Sequence, residues 1–293
     1  MIRTTLLGLA LVSATAFGQE VEKPAKETKH VVLSSNNSIV LQDYFYTQSV
    51  VKLKQKLIKL DNRLKDGEKI YLVLDSGGGS IVAGFELINL AQGLKHEVVT
   101  ITIWSASMAF QTVQALGSRY ILKNGVLMSH KARGGFYGQF PDAEAETRMS
   151  FWKGRINTAD QEIADRAGMT VEEYKKLYEY EYWCEGKACV DKNFADAVIT
   201  ASCDKTLEGT KDIVEYKEWF WDQGILLKWH AIQSKCPLNV GALDTYLTAE
   251  RLRVGDNGKL TPSELDLYTK KFKKEYDNKR NPIFQFNYTP KYK

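Results

Sequence analysis

The sequence has no CxxC pair and no histidine at ligand spacing from a cysteine, and His230, upstream of Cys236, is a weak ligand candidate. A zinc site is therefore not expected, nor is any other metal or cofactor. A block of basic charge is also missing. Lys and Arg number 40 against 36 Asp and Glu, and the net charge is +4. Basic residues alternate with acids along most of the chain, and the one basic cluster, "TKKFKKEYDNKR", reads as a solvated helix face. That pattern gives no reason to expect a nucleic-acid partner. Beyond the N-terminus no segment is apolar enough to cross a bilayer. Internal repeats are lacking as well, and with 44% hydrophobic residues in 293 the chain is able to bury a full core.

What is present begins at the N-terminus. Met1-Ile2-Arg3 is a short positive region, and "TTLLGLALVSATAF" is apolar but short for a membrane helix. Small residues lead on to Gly18-Gln19. This predicts a cleaved export signal over residues 1–18, a flexible lead over 19–29, and a mature protein in the periplasm or secreted. The four cysteines, Cys184, Cys189, Cys203 and Cys236, suit an oxidising compartment. At least one disulfide is expected. Cys184 with Cys189 would close a short loop, and Cys203 with Cys236 would tether the C-terminal region; other pairings stay open.

Strand and helix patterns alternate from about His30 to about Thr200. "HVVLSSNNSIVL" predicts two short strands around an Asn-Asn turn. Val50, Val51, Leu53, Leu57, Ile58, Leu60 and Leu64 have the spacing of an amphipathic helix. "KIYLVLDSGGGS" reads as a buried strand breaking into three glycines, followed by the helical "IVAGFELINLAQGL". "VVTITI" runs into "WSASMAFQTVQALG", a strand that turns into a helix at two serines and a methionine. "RYILK" and "GVLMSH" read as short strands around an Asn124-Gly125 turn. Residues 141–168 form one long helical pattern, and Thr170 with Glu173 makes a capping box for the next helix. The fold class is α/β, one domain over residues 30–200, with a helical extension over 201–293 that begins in "DIVEYKEWFWDQGILLKWHAIQ".

Three features stand in an order that suits acyl transfer. Gly77-Gly78-Gly79 at a strand end allows close backbone approach, and its N–H groups can face an anion beside a helix start. Ser107 opens a helix, so its hydroxyl and the N–H of Met108 can face one point. His130 ends the strand "VLMSH", and a serine needs such a base to become nucleophilic. Taken singly, each has a bland reading: a tight turn, an N-cap serine and a surface histidine. Their ordered combination favours chemistry.

These stretches resemble a family, the proteolytic subunit of the Clp protease. "YLVLDSGGGSIVAGFELINLA" resembles its segment around Ser-Pro-Gly-Gly-Ser, and "SASMAF" its Ala-Ala-Ser-Met-Ala. "RYILKNGVLMSHKARGGFYGQFPDAEAE" resembles the stretch that carries its base and a substrate-binding strand, here Gly134, Gly135 and Phe136. The resemblance implies a ClpP/crotonase-like spiral of strand-strand-helix units. It implies Ser107 as nucleophile, His130 as base, and Gly78 or Gly79 with Met108 as the oxyanion hole. Counting back from Asp196 in "NFADAVI" places Glu181 where the family has its aspartate, with Glu179 and Asp191 as nearby alternatives. It also implies a homo-oligomeric ring, built through the long helix around Asp142 to Arg166, that cuts unfolded chains.

The departures are specific. Ile103-Trp104-Ser105 replaces a glycine before the nucleophile motif, Gly77 replaces a proline, and the C-terminal region has no counterpart. An export signal removes access to ATP, so no ATPase partner is expected. Related signal-peptide peptidases use a lysine base, and Lys131 adjoins His130. "RVGDNGKLTPSEL" has Gly258, Leu260 and Glu264 at EF-hand spacing, but Arg253 and Gly255 cannot supply carboxylates. Thr261 and Glu264 instead form a capping box with Pro262 at the first helical position. The leading expectation is an exported serine peptidase acting on peptides or unfolded protein. The others are a non-catalytic scaffold or peptide-binding module of the same fold, and an acyl-CoA enzyme of the crotonase type, which has no need of this serine and histidine.

Overall fold

The structure, a computed structural model, describes residues 29–42, 44–134, 141–209, 211–220, 225–239 and 242–251. The expected export signal, most of the expected lead, Gly135, Phe136 and the EF-hand-like stretch lie outside them.

The main sheet forms from strands that are apolar on both faces. β3 (Ile70–Ser76) and β4 (Val98–Ala106) are buried over most of their length, as a parallel sheet covered on both sides requires. Alternate side chains go to opposite faces: Leu72 and Leu74 join one hydrophobic cluster and Val73 the other. The strand order is β1 (His30–Leu33), β7 (Ala197–Cys203), β5 (Arg119–His130), β4, β3, β2 (Ser38–Leu41). Every neighbouring pair in that order is parallel. β6 (Glu181–Glu185) adds antiparallel to the last part of β5.

The expected Asn-Asn turn joins β1 and β2, yet the two do not pair: they are the ends of the strand order. A flat sheet of six strands at about 4.8 Å spacing would hold its edges about 24 Å apart. The five steps from Leu33 to Ser38 reach about 18 Å at most. The sheet therefore curls back on itself, as a spiral fold demands.

One face carries α1 (Thr47–Asp61), α2 (Ile81–Gln92), α3 (Met108–Ala115), α4 (Asp142–Ala167), α5 (Val171–Leu177) and α6 (Lys187–Asp191). α1 buries Val50, Leu53, Leu57 and Leu60, the expected stripe, and leaves Val51 and Ile58 at its exposed margin. α5 starts at the expected capping box: Glu173 N–H donates to Thr170 Oγ1 at 3.1 Å and Thr170 N–H to Glu173 Oε2 at 2.8 Å. On the other face Val31, Leu33, Val99, Ile101 and Ile199 pack with Leu207, Cys236 and Leu238. At least one disulfide was expected and two are present, in the two pairings raised from sequence: Cys184–Cys189 and Cys203–Cys236. The second ties the segment after Ser234 to the end of β7. None of the described helices is long and apolar enough to cross a membrane.

Two expectations are overturned. Asn124-Gly125 is not a hairpin turn, because β5 is one continuous strand. Its register against β4 jumps from Thr102↔Ile121 to Trp104↔Val126, so Leu122 to Gly125 bulge opposite Ile103. A Cβ on Gly125 would lie 2.5 Å from the Thr102 carbonyl oxygen, so glycine serves close backbone approach here. The second correction concerns the C-terminal extension. Its described residues between 211 and 251 are not helical: β8 (Lys211–Phe220), β9 (Ile225–Ser234) and β10 (Ala242–Arg251) form an antiparallel sheet in the order β10-β9-β8. These segments are rich in aromatic and β-branched residues. In segments of this kind, strand propensity outweighs an uncertain helical period.

Candidate active site

The site lies where β3, β4 and β5 end. Parallel strands leave their last residues beside one another, and chemistry collects at that edge of α/β sheets. Ser76 is in register with Ser105, Ser105 with Leu127, and Ala106 with Met128. The glycine triplet after β3, Ser107 after β4 and His130 at the end of β5 thus meet.

Ser107 occupies a turn between strand and helix with φ 57 and ψ −118. A non-glycine residue at positive φ is strained, and such strain persists only where the surroundings impose it. Its N–H donates to the Met128 carbonyl at 2.9 Å, and its carbonyl accepts from Gln111 N–H at 3.1 Å. Its hydroxyl caps nothing in α3. Instead Ser107 Oγ and His130 Nε2 are 2.8 Å apart, at hydrogen-bond distance. Ser105, two residues back, is 0% exposed and bonds Thr102 Oγ1 at 3.4 Å. The junction therefore turns one serine outward and packs the other.

Gly78 and Gly79 both have positive φ, at 91 and 137, while Gly77 does not. The position where the resemblance has a proline is thus the one of the three that does not require glycine's conformational range. A Cβ on Gly78 would lie 2.6 Å from the Ala106 carbonyl oxygen, 2.7 Å from Ser107 Cβ and 2.8 Å from Met108 N. Its N–H donates to Ser76 Oγ at 3.2 Å. Gly79 differs, because it lines the cavity together with Ser107, Met108 and His130. Met108 is the first residue of α3, where helix N–H groups have no partner within the helix. Of the two glycines, Gly79 has the open position for an amide donor.

The imidazole is half-buried between sheet and cavity. Burial and the positive charge of Arg133 lower the His130 pKa from its usual value, against the opposing influence of the Lys131 backbone and Glu181. Backbone register sets Glu181 of β6 directly opposite His130, but their side chains do not join. The buried His130 Nδ1 has no hydrogen-bond partner among the described residues. Glu181 Oε2 accepts from Trp183 Nε1 at 3.1 Å, and Oε1 is 4.0 Å from Arg133. Asp191 is paired with Lys187 at 2.5 Å, and Glu179 is exposed before β6. Lys131 is exposed, and Gly134 lies in an adjoining hollow with Met149 and Trp152.

A family model described as Clp protease matches residues 22–202, more than half of the chain. The chain belongs to the Clp protease family. That family consists of serine peptidases that form homo-oligomeric rings and bind peptides, and the curled parallel sheet agrees with its fold. Among the described residues no group of His, Cys, Asp and Glu is placed to hold a metal ion.

Sequence reasoning missed four polar side chains around the Clp-type site. Trp183 holds Glu181, and Asp160, Tyr174 and Tyr178 line the cavity beside Ser107. A signal did exist for Asp160. It lies between Ala159 and Ile163 on the stripe of α4 that faces the core, where a carboxylate is out of place.

Proposed function

We propose that the protein is an exported serine peptidase in which Ser107 attacks the scissile carbonyl, His130 takes its proton, and Glu181 orients the charged ring. The observation that carries the reading is the 2.8 Å approach of Ser107 Oγ to His130 Nε2, made by a serine held at positive φ. With the proton on Nδ1, His130 accepts from the hydroxyl while the Ser107 oxygen bonds to the carbonyl carbon. The amides of Gly79 and Met108 receive the oxyanion, with Gly78 shaping the approach. Protonated His130 then passes its proton to the leaving amine, and water cleaves the acyl-enzyme by the reverse sequence. Glu181 takes part after turning from Trp183 to Nδ1. Gly134, Gly135 and Phe136 are the proposed peptide-binding residues.

The proposed substrates are peptides or unfolded protein, reached without an ATPase. Two disulfides suit an oxidising compartment. Assembly is supported by the first half of α4, which exposes Met149 and leaves Phe151 64% exposed. Farther along the same helix, Ile163 is buried in the chain's own core.

A second reading, a scaffold of the same fold, is favoured by the unpartnered Nδ1. Labelling of the native oligomer with a fluorophosphonate separates the two. The peptidase reading expects wild type and Ser105→Ala to label, and Ser107→Ala and His130→Ala to stay unlabelled. Unlabelled wild type would favour the scaffold; labelling that survives Ser107→Ala would mean another nucleophile.

A further inference from the structure

We infer that the cavity beside Ser107 receives a basic side chain, lysine or arginine, on the residue whose carbonyl is attacked, with Asp160 as its counter-charge. This rests on the peptidase reading and adds the substrate class to it. The cavity, about 290 Å³, is lined by Ser107 and His130 and also by Asp160, Tyr174 and Tyr178. The serine and histidine are half-buried, whereas Asp160 is 8%, Tyr178 6% and Tyr174 2% exposed. The polar trio thus belongs to the deeper part of the space.

Asp160 is electrostatically incomplete. Tyr178 Oη donates to its Oδ2 at 2.6 Å, and its other oxygen has no donor among the described residues. Nor has it an ion-pair partner there. Lys175, the cation that acts on it, donates to Asn157 Oδ1 at 2.8 Å. The Tyr174 hydroxyl is engaged with Ser129 Oγ at 2.8 Å. Burial raises the Asp160 pKa, the direction expected of a carboxylate short of compensation.

A buried carboxylate with one neutral donor gains most from a cation. Phe110, Met108 and Ile163 give the cavity apolar walls against which the methylene stem of lysine or arginine packs. An apolar substrate side chain would fill those walls but leave Asp160 drier and still unpaired, which opposes binding. An acidic one would add repulsion. Arg133 also lines the cavity, but its side chain is mostly exposed and solvent screens its charge.

The alternative is a purely structural Asp160 that anchors Tyr178 between α4 and α5. Fluorogenic peptides of the form Ala-Ala-X-coumarylamide, with X as Arg, Lys, Leu, Phe or Glu, distinguish the two on the full-length oligomer. Wild type should cleave X as Arg or Lys with a kcat/KM about 30-fold or more above Leu, the lower end for a buried charge pair. Asp160→Asn should reduce that ratio by a similar factor. Tyr178→Phe removes the anchor but keeps the carboxylate, so the basic preference should persist.

Wild type that labels with fluorophosphonate but prefers Leu or Phe overturns the inference and spares the peptidase reading. So does an Arg to Leu ratio unchanged in Asp160→Asn. Loss of the basic preference in Tyr178→Phe, with the carboxylate retained, also overturns it. Wild type that neither labels nor cleaves overturns both. Should Asp160→Asn fail to fold, the wild-type preference alone decides.

Discussion

His130 faces two partners, and the chain treats them differently. Its contact with Ser107 is complete at 2.8 Å. Its contact with Glu181 is prepared by strand register alone, with the carboxylate held by Trp183 and Nδ1 left unpartnered. The first pair depends on backbone: the ends of β4 and β5, the strained turn at Ser107, and Gly78 packed behind it. The second depends on the rotamer of one exposed side chain. Backbone elements held by dozens of sheet and helix hydrogen bonds do not rearrange cheaply. A surface glutamate crosses between staggered rotamers on a fast timescale. The serine–histidine pair is therefore preorganised, whereas the acid proposed for it would have to be recruited by a rotamer change of Glu181.

Gly78→Ala should break the first pair. Its Cβ would meet three atoms at 2.6–2.8 Å, two of them backbone, at φ 91. Positive φ and overpacking together should cost about 2–5 kcal/mol of stability. Urea denaturation measures the loss, and fluorophosphonate labelling should fall away with it. Unchanged stability would mean that the junction behind Ser107 is less tightly packed than these distances require.

Glu181→Gln and Trp183→Phe address the second pair from opposite sides. Removing the charge should slow labelling about tenfold or more, since the imidazolium loses its stabilising partner. Freeing Glu181 from the indole N–H should speed labelling a few-fold, by about the strength of one hydrogen bond to a charged group at the surface. Identical rates for Glu181→Gln and wild type would take Glu181 out of the mechanism. They would leave Ser107 and His130 acting as a dyad.

The smallest effect is on pH dependence. Burial and Arg133 lower the His130 pKa, so the acid limb of kcat/KM should fall below an ordinary histidine's value. Removing a positive charge favours the imidazolium, so Arg133→Ala should raise that limb; removing a negative one should make Glu181→Gln lower it. Because the Arg133 side chain is 79% exposed, the Arg133→Ala shift should be a few tenths of a unit at low ionic strength and shrink with salt. A pH profile of peptide cleavage in each variant reads both signs. A limb that moves the same way in both would show that the ring does not sense these charges as placed.

Much of this was legible in the residues. β3 and β4 are apolar on both faces, α1 has a 3.6-residue stripe, and Thr170 and Glu173 announce a helix start. All of these are local patterns, and each element formed where its pattern lies. The same holds for the order of glycine triplet, serine and histidine. Failures came where local signals compete. Asn124-Gly125 has the dipeptide of a hairpin, but β4 pairs with both sides of it, β7 with the residues before it and β6 with those after it, and together they hold β5 as one strand. β8, β9 and β10 lack a clean helical period, and cross-strand pairing decided them.

The sequence by itself determined the α/β class, the helix starts, the cysteines available for pairing, and that serines and a histidine stand at strand ends. These depend on interactions between near neighbours along the chain. Tertiary structure alone decided that Ser105 is packed while Ser107 faces His130, that Gly79 and not Gly78 opens into the cavity, and that Glu181 rests on Trp183. It also decided that Asp160 of α4 meets Tyr178 of α5 beside the serine. Each of these is a side-chain direction set by elements distant in sequence. A one-residue difference in a strand or at a helix start reverses it, and no local pattern carries that information.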